Sequence, residues 1–269
     1  MDRKISLLGF ALLLSCRLSL AADLAVTFLD VGEGEAILVQ NGKYVALVDA
    51  GNPMTGANVV SALDKMGIEA LDAVIITHPH SDHMGGIFQI LPRVPIGQRY
   101  DNGQDLGRGG DIMRWYGEYF RAGSYQSLAK GQKLKMEDAR VEVLNAAQPG
   151  RSLNQNSVVL RLTHGNVTIL LMGDVDTSVE QVLLASEADL SADLLKPGHH
   201  GASDASSAEF LKAVNPRYAV ISINENNLRG YPAAEVLQRL AAEGAIVSAT
   251  YNEGDITFVS DGKKLHRQD

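Results

Sequence analysis

The run from Asp72 to Thr77 is almost unbroken in its apolar character and ends in Thr77-His78-Pro79-His80-Ser81-Asp82-His83. A short continuous apolar run reads as a buried strand. This one delivers three imidazoles and a carboxylate within six positions. A strand end is a rigid mount, and few structural tasks need that set of side chains. Imidazole and carboxylate are natural ligands for Zn2+ and similar ions. The H-x-H-x-D-H spacing lets one loop aim His78 and His80 at one ion, and Asp82 with His83 at a neighbour.

Further ligand types follow downstream. Asp174 comes after the apolar run Val167 to Met172 and before a helix, where an Asp serves either as an N-cap or, beside a histidine cluster, as a bridge between two cations. The bridge is the expectation. Asp49 ends the equivalent run Tyr44 to Val48 and is expected to orient a ligand histidine from behind. His199 and His200 lie in Lys196-Pro197-Gly198-His199-His200-Gly201, whose glycines permit close backbone approach. One of the two is expected to ligate and the other to face substrate or support a ligand, and the sequence leaves open which. His164, on a hairpin turn, and His266, near the C-terminus, read as surface residues.

Strand-like runs at Leu24 to Leu29, Glu35 to Val39 and Tyr44 to Val48, with Asn41-Gly42 as a turn signal, predict an opening β-meander. Ala57 to Met66 has helical spacing and Gly67 as its stop. Residues 100–130 are richer in Gly, Arg and Tyr and resemble an insertion carrying one helix, Asp111 to Arg121. Ser157 to Leu162 and Val167 to Met172 predict a second hairpin about Gly165-Asn166. It ends in Gly173-Asp174 as the first ends in Asp49-Ala50-Gly51, so the halves look like a distant duplication.

Beyond Asp174 the order is helix (Thr177 to Ala185), strand (Asp193 to Leu195), helix (Ser206 to Val214), strand (Tyr218 to Ile223), helix (Ala233 to Ala242) and terminal strands. Each half can cover only one sheet face with helices. Two sheets face to face with helices outside is therefore the expected layering, a single-domain α/β fold of the αβ/βα four-layer sandwich type over 22–269.

The chain has 269 residues, 45% of them hydrophobic, enough for a sizeable core. Arg3 and Lys4, the apolar run Ile5 to Leu14 and the small residues of Ser19-Leu20-Ala21 read as a signal peptide over 1–21, which places the domain in the periplasm or outside the cell. That run is too short to span a bilayer core of ~30 Å. Cys16, the one cysteine, offers a second reading as a lipoprotein processing site. Without 1–21, 21 basic side chains face 31 acidic ones. Such a balance disfavours passive nucleic-acid binding, which rests on Lys and Arg contacts to phosphate, but leaves open a nuclease that holds DNA through metals and a local patch.

These residues resemble the metallo-β-lactamase superfamily, and within it the hydrolase domain of the ComEC family of competence DNA-uptake proteins. The likeness covers almost the whole chain after 1–21. It rests on Phe28-Leu29-Asp30-Val31-Gly32-Glu33-Gly34-Glu35-Ala36, Asp49-Ala50-Gly51, the His78 to His83 cluster with Gly85-Gly86, Asn154 to Ser157, Gly173-Asp174 and Lys196 to Gly201.

The resemblance implies one or two Zn ions, with Mn as an alternative. His78 and His80 would lie on one ion, Asp82 and His83 on the other, Asp174 between them, and His199 or His200 on the second. The implied nucleophile is a hydroxide shared by the metals, with Asp82 in the reacting centre and electrostatic help from Lys196 or Asn156. Two departures stand out. Many superfamily members carry a third His where this chain has Asn154-Gln155-Asn156-Ser157, and the competence family usually reads Gly-His-Pro where this chain reads Gly230-Tyr231-Pro232. The implied activity is a phosphodiesterase or nuclease. Hydrolysis of a lactam, lactone or thioester on the same scaffold, and a non-catalytic binding module, are the alternatives.

Overall fold

β-Strands buried on both faces are apolar at consecutive positions, and most strands here have that character. The structure, a computed structural model, describes residues 22–107 and 110–268. The expected signal segment 1–21, with Cys16, lies outside the described residues. The chain opens with β1 (Leu24–Phe28), β2 (Ile37–Asn41), β3 (Tyr44–Val48), β4 (Leu71–Ile76), β5 (Ile96–Asp101) and β6 (Tyr125–Ser127). It then builds β7 (Lys133–Met136), β8 (Ala139–Asn145), β9 (Val159–His164), β10 (Val167–Leu171), β11 (Leu194–Lys196), β12 (Tyr218–Ile221) and β13 (Ile246–Ala249). Two last strands, β14 (Ile256–Ser260) and β15 (Leu265–Gln268), return to the first sheet, whose order is β15-β14-β1-β2-β3-β4-β5-β6. The second sheet runs β13-β12-β11-β10-β9-β8-β7.

Alternation along each strand splits the core into three layers of contact. On β4, Ala73 and Ile75 face the space between the sheets, and Val74 and Ile76 face outward. On β10, Ile169 and Leu171 face inward and Leu170 outward. The outer face of the first sheet is covered by α1 (Gly56–Lys65), by the short α2 (Ser81–Met84) and α3 (Ile87–Ile90), and by α4 (Gly110–Trp115) with its π-turn Tyr116–Phe120. The second sheet is covered by α5 (Thr177–Leu184), α6 (Ala208–Val214) and α7 (Ala234–Ala242), while α8 (Thr250–Glu253) follows β13. Each buried Leu, Ile or Phe adds roughly 1.5–3 kcal/mol to this packing. The architecture is the expected αβ/βα sandwich in one domain. No described helix is long and apolar enough to cross a membrane.

The halves repeat one motif. In each, an antiparallel hairpin (β2-β3, β9-β10) feeds parallel strands whose ends point at the seam between the sheets. The first hairpin turn falls one residue later than expected, at Gly42-Lys43, because Asn41 is a buried strand residue paired with Tyr44. Its Oδ1 accepts from the backbone N–H groups of Asp138 and Ala139, which ties the sheets together at that edge.

Residues 100–130 are not an insertion. β5 and β6 complete the first sheet, and Tyr116 and Phe120 are buried in its helix layer. Asp101 gathers the segment: it accepts from the Tyr116 hydroxyl (2.9 Å), the Tyr125 hydroxyl (2.6 Å), Arg121 Nε (2.7 Å) and Gly103 N–H (2.7 Å). The strands β7 and β8 escape the sequence reading because Lys133, Lys135 and Arg140 project to an outer face that no described helix covers. That face forms a groove of about 750 Å³, and none of its lining residues belongs to the histidine cluster.

Replacing Asp101 by Ala orphans the buried Tyr116 hydroxyl, the partly buried Tyr125 hydroxyl and Arg121 Nε. The expected cost is about 3–5 kcal/mol in urea unfolding, and a loss under about 1 kcal/mol would show that the segment is held by its apolar contacts alone.

Candidate metal centre

Two backbone approaches shape the loop after β4. A Cβ on Gly34 would stand 2.3 Å from Asp82 O, and one on Gly86 1.8 Å from Ala50 O, so neither position admits another residue as the chain runs. Glu35 N–H donates to Asp82 O and Ala50 N–H to His83 O, fastening the loop to the first hairpin. His78, Asp82 and His83 end up buried, with His80 partly exposed.

Donor partners fix how the rings present their nitrogens. His83 Nδ1 donates to Asp49 Oδ2 at 2.7 Å. Asp49 also accepts from Thr77 N–H (2.7 Å) and the Thr77 hydroxyl (2.8 Å). That leaves the Thr77 oxygen to accept from His78 Nδ1 at 3.0 Å. His200 Nδ1 donates to Ser222 O at 2.7 Å. In each ring the committed Nδ1 directs Nε2 into the seam, the arrangement expected behind a metal-ligating histidine.

The ring nitrogens converge with carboxylates. His78 Nε2 lies 2.9 Å from His80 Nδ1 and 3.8 Å from Asp174 Oδ2. His83 Nε2 lies 3.2 Å from His200 Nε2 and 3.3 Å from Asp174 Oδ2. His200 Nε2 is 3.6 Å from Asp174 Oδ1 and 3.8 Å from Asp82 Oδ2. Three groups of ligand type emerge among the described residues: His78 with His80 and Asp174, Asp82 with His83 and His200, and Glu35 with Asp49 and His83, whose carboxylates are already engaged by Lys196 and by Thr77 and His83. Asp174 approaches the first two. Asp174 Oδ1 has no hydrogen-bond partner although it is buried.

Between the two histidines left open by the sequence, the backbone separates their directions. Both adopt left-handed conformations, φ 49° at His199 and 51° at His200, which non-glycine residues seldom do. His200 turns into the seam. His199 turns to the rim, where its Nε2 lies 3.2 Å from Asn154 Nδ2 and its Nδ1 3.1 Å from Asp204 Oδ1. The Tyr231 ring meets His199 edge-on at 5.3 Å.

Protonation follows burial and charge. Burial holds the imidazoles of His78 and His80 below their usual range and that of His200 down at about 4, leaving them neutral. Burial pulls His83 the same way, but Asp174 and Asp49 overcome it and raise its pKa well above the ordinary value. Burial pushes the Asp174 carboxyl up, yet His83 and His200 hold it well below the usual range.

The two expected electrostatic helpers are placed differently. Lys196 is fully buried. It forms an ion pair with buried Glu35, donates to Gly173 O (2.8 Å) and stands 3.7 Å from Asp174 Oδ1. Burial lowers the Lys196 pKa, but Glu35 and Asp174 more than offset that and keep it charged. Burial also pushes the Glu35 carboxyl up, to about 7, against the pull of Lys196. Asn156 turns into its own loop, its Oδ1 accepting from Gln148 N–H at 2.8 Å.

His164 is buried, not a surface residue. Its Nδ1 pairs with the Ser260 hydroxyl at 3.0 Å beneath the turn at Gly262, while His266 is exposed as expected. Sequence reasoning assigned no role to Glu35, Thr77 or Arg229. A charged Glu35 just before an apolar strand was the available signal for the first. Nothing marked Arg229.

The donor set fits divalent cations. Ring nitrogens at 2.9 and 3.2 Å from one another, with an unpartnered buried carboxylate oxygen beside them, are donors of the type and spacing that such an ion takes. The fold and the seam point to one family: residues 29–223 match the metallo-beta-lactamase superfamily, and the chain belongs to it. Its fold binds divalent metals, and its members are generally metallo-hydrolases.

The chain is 30% identical to Competence protein ComA of Neisseria gonorrhoeae, a match covering 88% of this chain and 32% of that protein. It is 26% identical to ComE operon protein 3 of Bacillus subtilis, covering 89% of this chain and 33% of that protein. It thus spans about a third of the length of these relatives. The metallo-beta-lactamase fold protein YhfI of Bacillus subtilis shares the fold, with a TM-score of 0.59 at 17% identity over 89% of this chain and 100% of that one.

Two outcomes follow. The raised His83 pKa means that the metal-free protein carries that proton at pH 7, and a cation held by His83 would expel it. Calorimetry in buffers of differing ionisation enthalpy should therefore show proton release on loading, and none would place the cation away from His83. Separately, Lys196→Met alone should destabilise by about 3–5 kcal/mol, with Glu35→Leu added recovering much of it; additive losses in the cycle would show that the two charges do not act as a pair.

Proposed function

We propose that this chain is a metal-dependent phosphodiesterase whose substrates include DNA. The observation that carries the reading is the sharing of Asp174 between two ligand groups, the arrangement a pair of cations needs. In this reading His78, His80 and Asp174 hold one cation, and Asp82, His83, His200 and Asp174 the other. Zn2+ suits the imidazole-rich set, with Mn2+ as the alternative. Two divalent cations so held supply an acidified water at neutral pH and neutralise charge developing on a phosphoryl oxygen.

The chain's own side chains do the rest. Asp49 holds His83 in one tautomer and orientation. Lys196, paired with Glu35, lies behind Asp174 and steadies its charge without reaching solvent. His80 is the partly exposed member of the cluster, with Asp82 buried beside it. His199, Asn154 and Tyr231 line the rim, where a substrate has to pass. Similarity to two competence proteins supports a nucleic-acid phosphodiester as the substrate, and the signal-like pattern of 1–21 supports action outside the cytoplasm.

Hydrolysis of a neutral lactam, lactone or thioester is the second reading. It is favoured by the acidic balance of the chain, formal charge −8, which repels a polyanion. The deciding measurement is metal content together with cleavage of bis(p-nitrophenyl) phosphate and single-stranded DNA under Zn2+ and Mn2+, with Asp82→Ala in parallel. Metal-dependent cleavage reduced at least about a hundredfold in the variant is expected. Bound metal without phosphodiester cleavage would transfer the assignment to the neutral substrates, and a metal-free, inactive protein would leave a binding module.

A further inference from the structure

The segment Asn224 to Gly230 forms a clasped loop beside the opening of the seam. Asn227 closes it: its Nδ2 donates to Asn224 O (3.1 Å) and Tyr231 O (2.6 Å), and its Oδ1 accepts from Tyr231 N–H (2.8 Å). The clasp leaves Leu228 fully exposed and turns Arg229 back toward the ligand groups. Arg229 Nη1 lies 3.7 Å from Asp82 Oδ2, and Nη2 lies 3.5 Å from Glu33 Oε1. Glu33 belongs to a second rim loop, held by Asn52 Nδ2 donating to Glu33 O at 2.7 Å.

The same Asp82 Oδ2 is approached by His200 Nε2 at 3.8 Å, and that histidine is buried. The guanidinium therefore occupies the solvent side of a carboxylate whose other side faces the cluster. With 46% of its side chain exposed and neither contact a hydrogen bond, Arg229 adds almost nothing to folding. Its place is better explained by what approaches the opening.

We propose that Arg229 is the anion-binding residue of this site and gives it a preference for substrates bearing a negative charge beside the bond that is cleaved. The proposal rests on the phosphodiesterase reading and deepens it. Two divalent cations would more than cancel the charges of Asp82 and Asp174, and Asp82 would be turned to its cation. Among the described residues Arg229 then keeps Glu33 as its anionic neighbour and has donors free. A guanidinium offers a planar fork that matches two oxygens of one phosphate, a geometry a lysine ammonium lacks. A phosphodiester supplies such a pair of non-bridging oxygens, whereas a lactam, lactone or thioester brings no charge for Arg229 to meet.

The test compares the full chain, loaded with Zn2+ or Mn2+, with Arg229→Gln and Arg229→Lys. Each protein is assayed on anionic bis(p-nitrophenyl) phosphate and on neutral p-nitrophenyl acetate, and orthophosphate binding is measured by calorimetry. The glutamine variant should lower the phosphodiester-to-ester ratio of kcat/KM about tenfold, mainly through KM, and weaken orthophosphate binding about tenfold, with lysine restoring part of both. An unchanged ratio with unchanged orthophosphate binding overturns the proposal. If no protein cleaves the phosphodiester, the activity reading fails by itself, and orthophosphate alone decides Arg229. Weakened binding in the glutamine variant then upholds the anion site, and equal or absent binding in all three proteins overturns it.

Discussion

His83 is where the two sheets share charge. Its Nδ1 meets Asp49, at the end of β3 in the first sheet, and its Nε2 faces Asp174, just past β10 in the second, with all three side chains at most 2% exposed. Two carboxylates brought into such a dry seam require a compensating cation, since unpaired buried charge is costly. In the metal-free protein the His83 proton provides it, and Lys196 adds a second positive charge on the far side of Asp174. The sheets can close with their strand ends together only because positive charge is available there. The feature that would bind cations is thus also the one that sets how the halves meet.

The placement of the site follows from the repeat. Each half runs a hairpin into parallel strands, and each hairpin ends in an acidic turn, Asp49 in one and Asp174 in the other. That much was legible in the sequence, because apolar runs ending in Asp and Gly are local patterns. The His78 to His83 loop was legible for the same reason. The choice between His199 and His200 was not, because it depends on two successive left-handed residues, a property of the surrounding turn. Lys196 was expected to give electrostatic help, but the Lys196–Glu35 pair that holds it joins positions 161 residues apart and only the closed fold reveals it. His164 was misread: a hairpin tip is usually wet, and here the turn at Gly262 covers it.

Residues 100–130 were misjudged because their composition is polar while their anchors are buried. Asp101 replaces apolar contact with four hydrogen bonds, so the segment belongs to the sheet without showing a hydrophobic pattern. It also reaches the rim. Asn102 Nδ2 donates to Asn156 O at 3.0 Å, and Asn156 in turn holds Gln148. The turn carrying Asn154 is therefore fixed from behind by the edge of the first sheet. Asn156 bears on the site by keeping Asn154 opposite His199.

The adjacent left-handed histidines carry the last step. A non-glycine residue in that region costs about 1–3 kcal/mol, and two in succession need support from outside the turn. His200 receives it from Ser222 O and His199 from Asp204, so each strained residue is held by the hydrogen bond that also aims it. In extended backbone, adjacent side chains point to opposite faces, and in a helix they diverge by about 100°. Neither lets one ring enter a buried seam while the next stays at its lip within reach of Tyr231 and Asn154. The strained pair achieves this over a single peptide bond, placing a ligand-type nitrogen inside and a rim imidazole outside on one rigid turn.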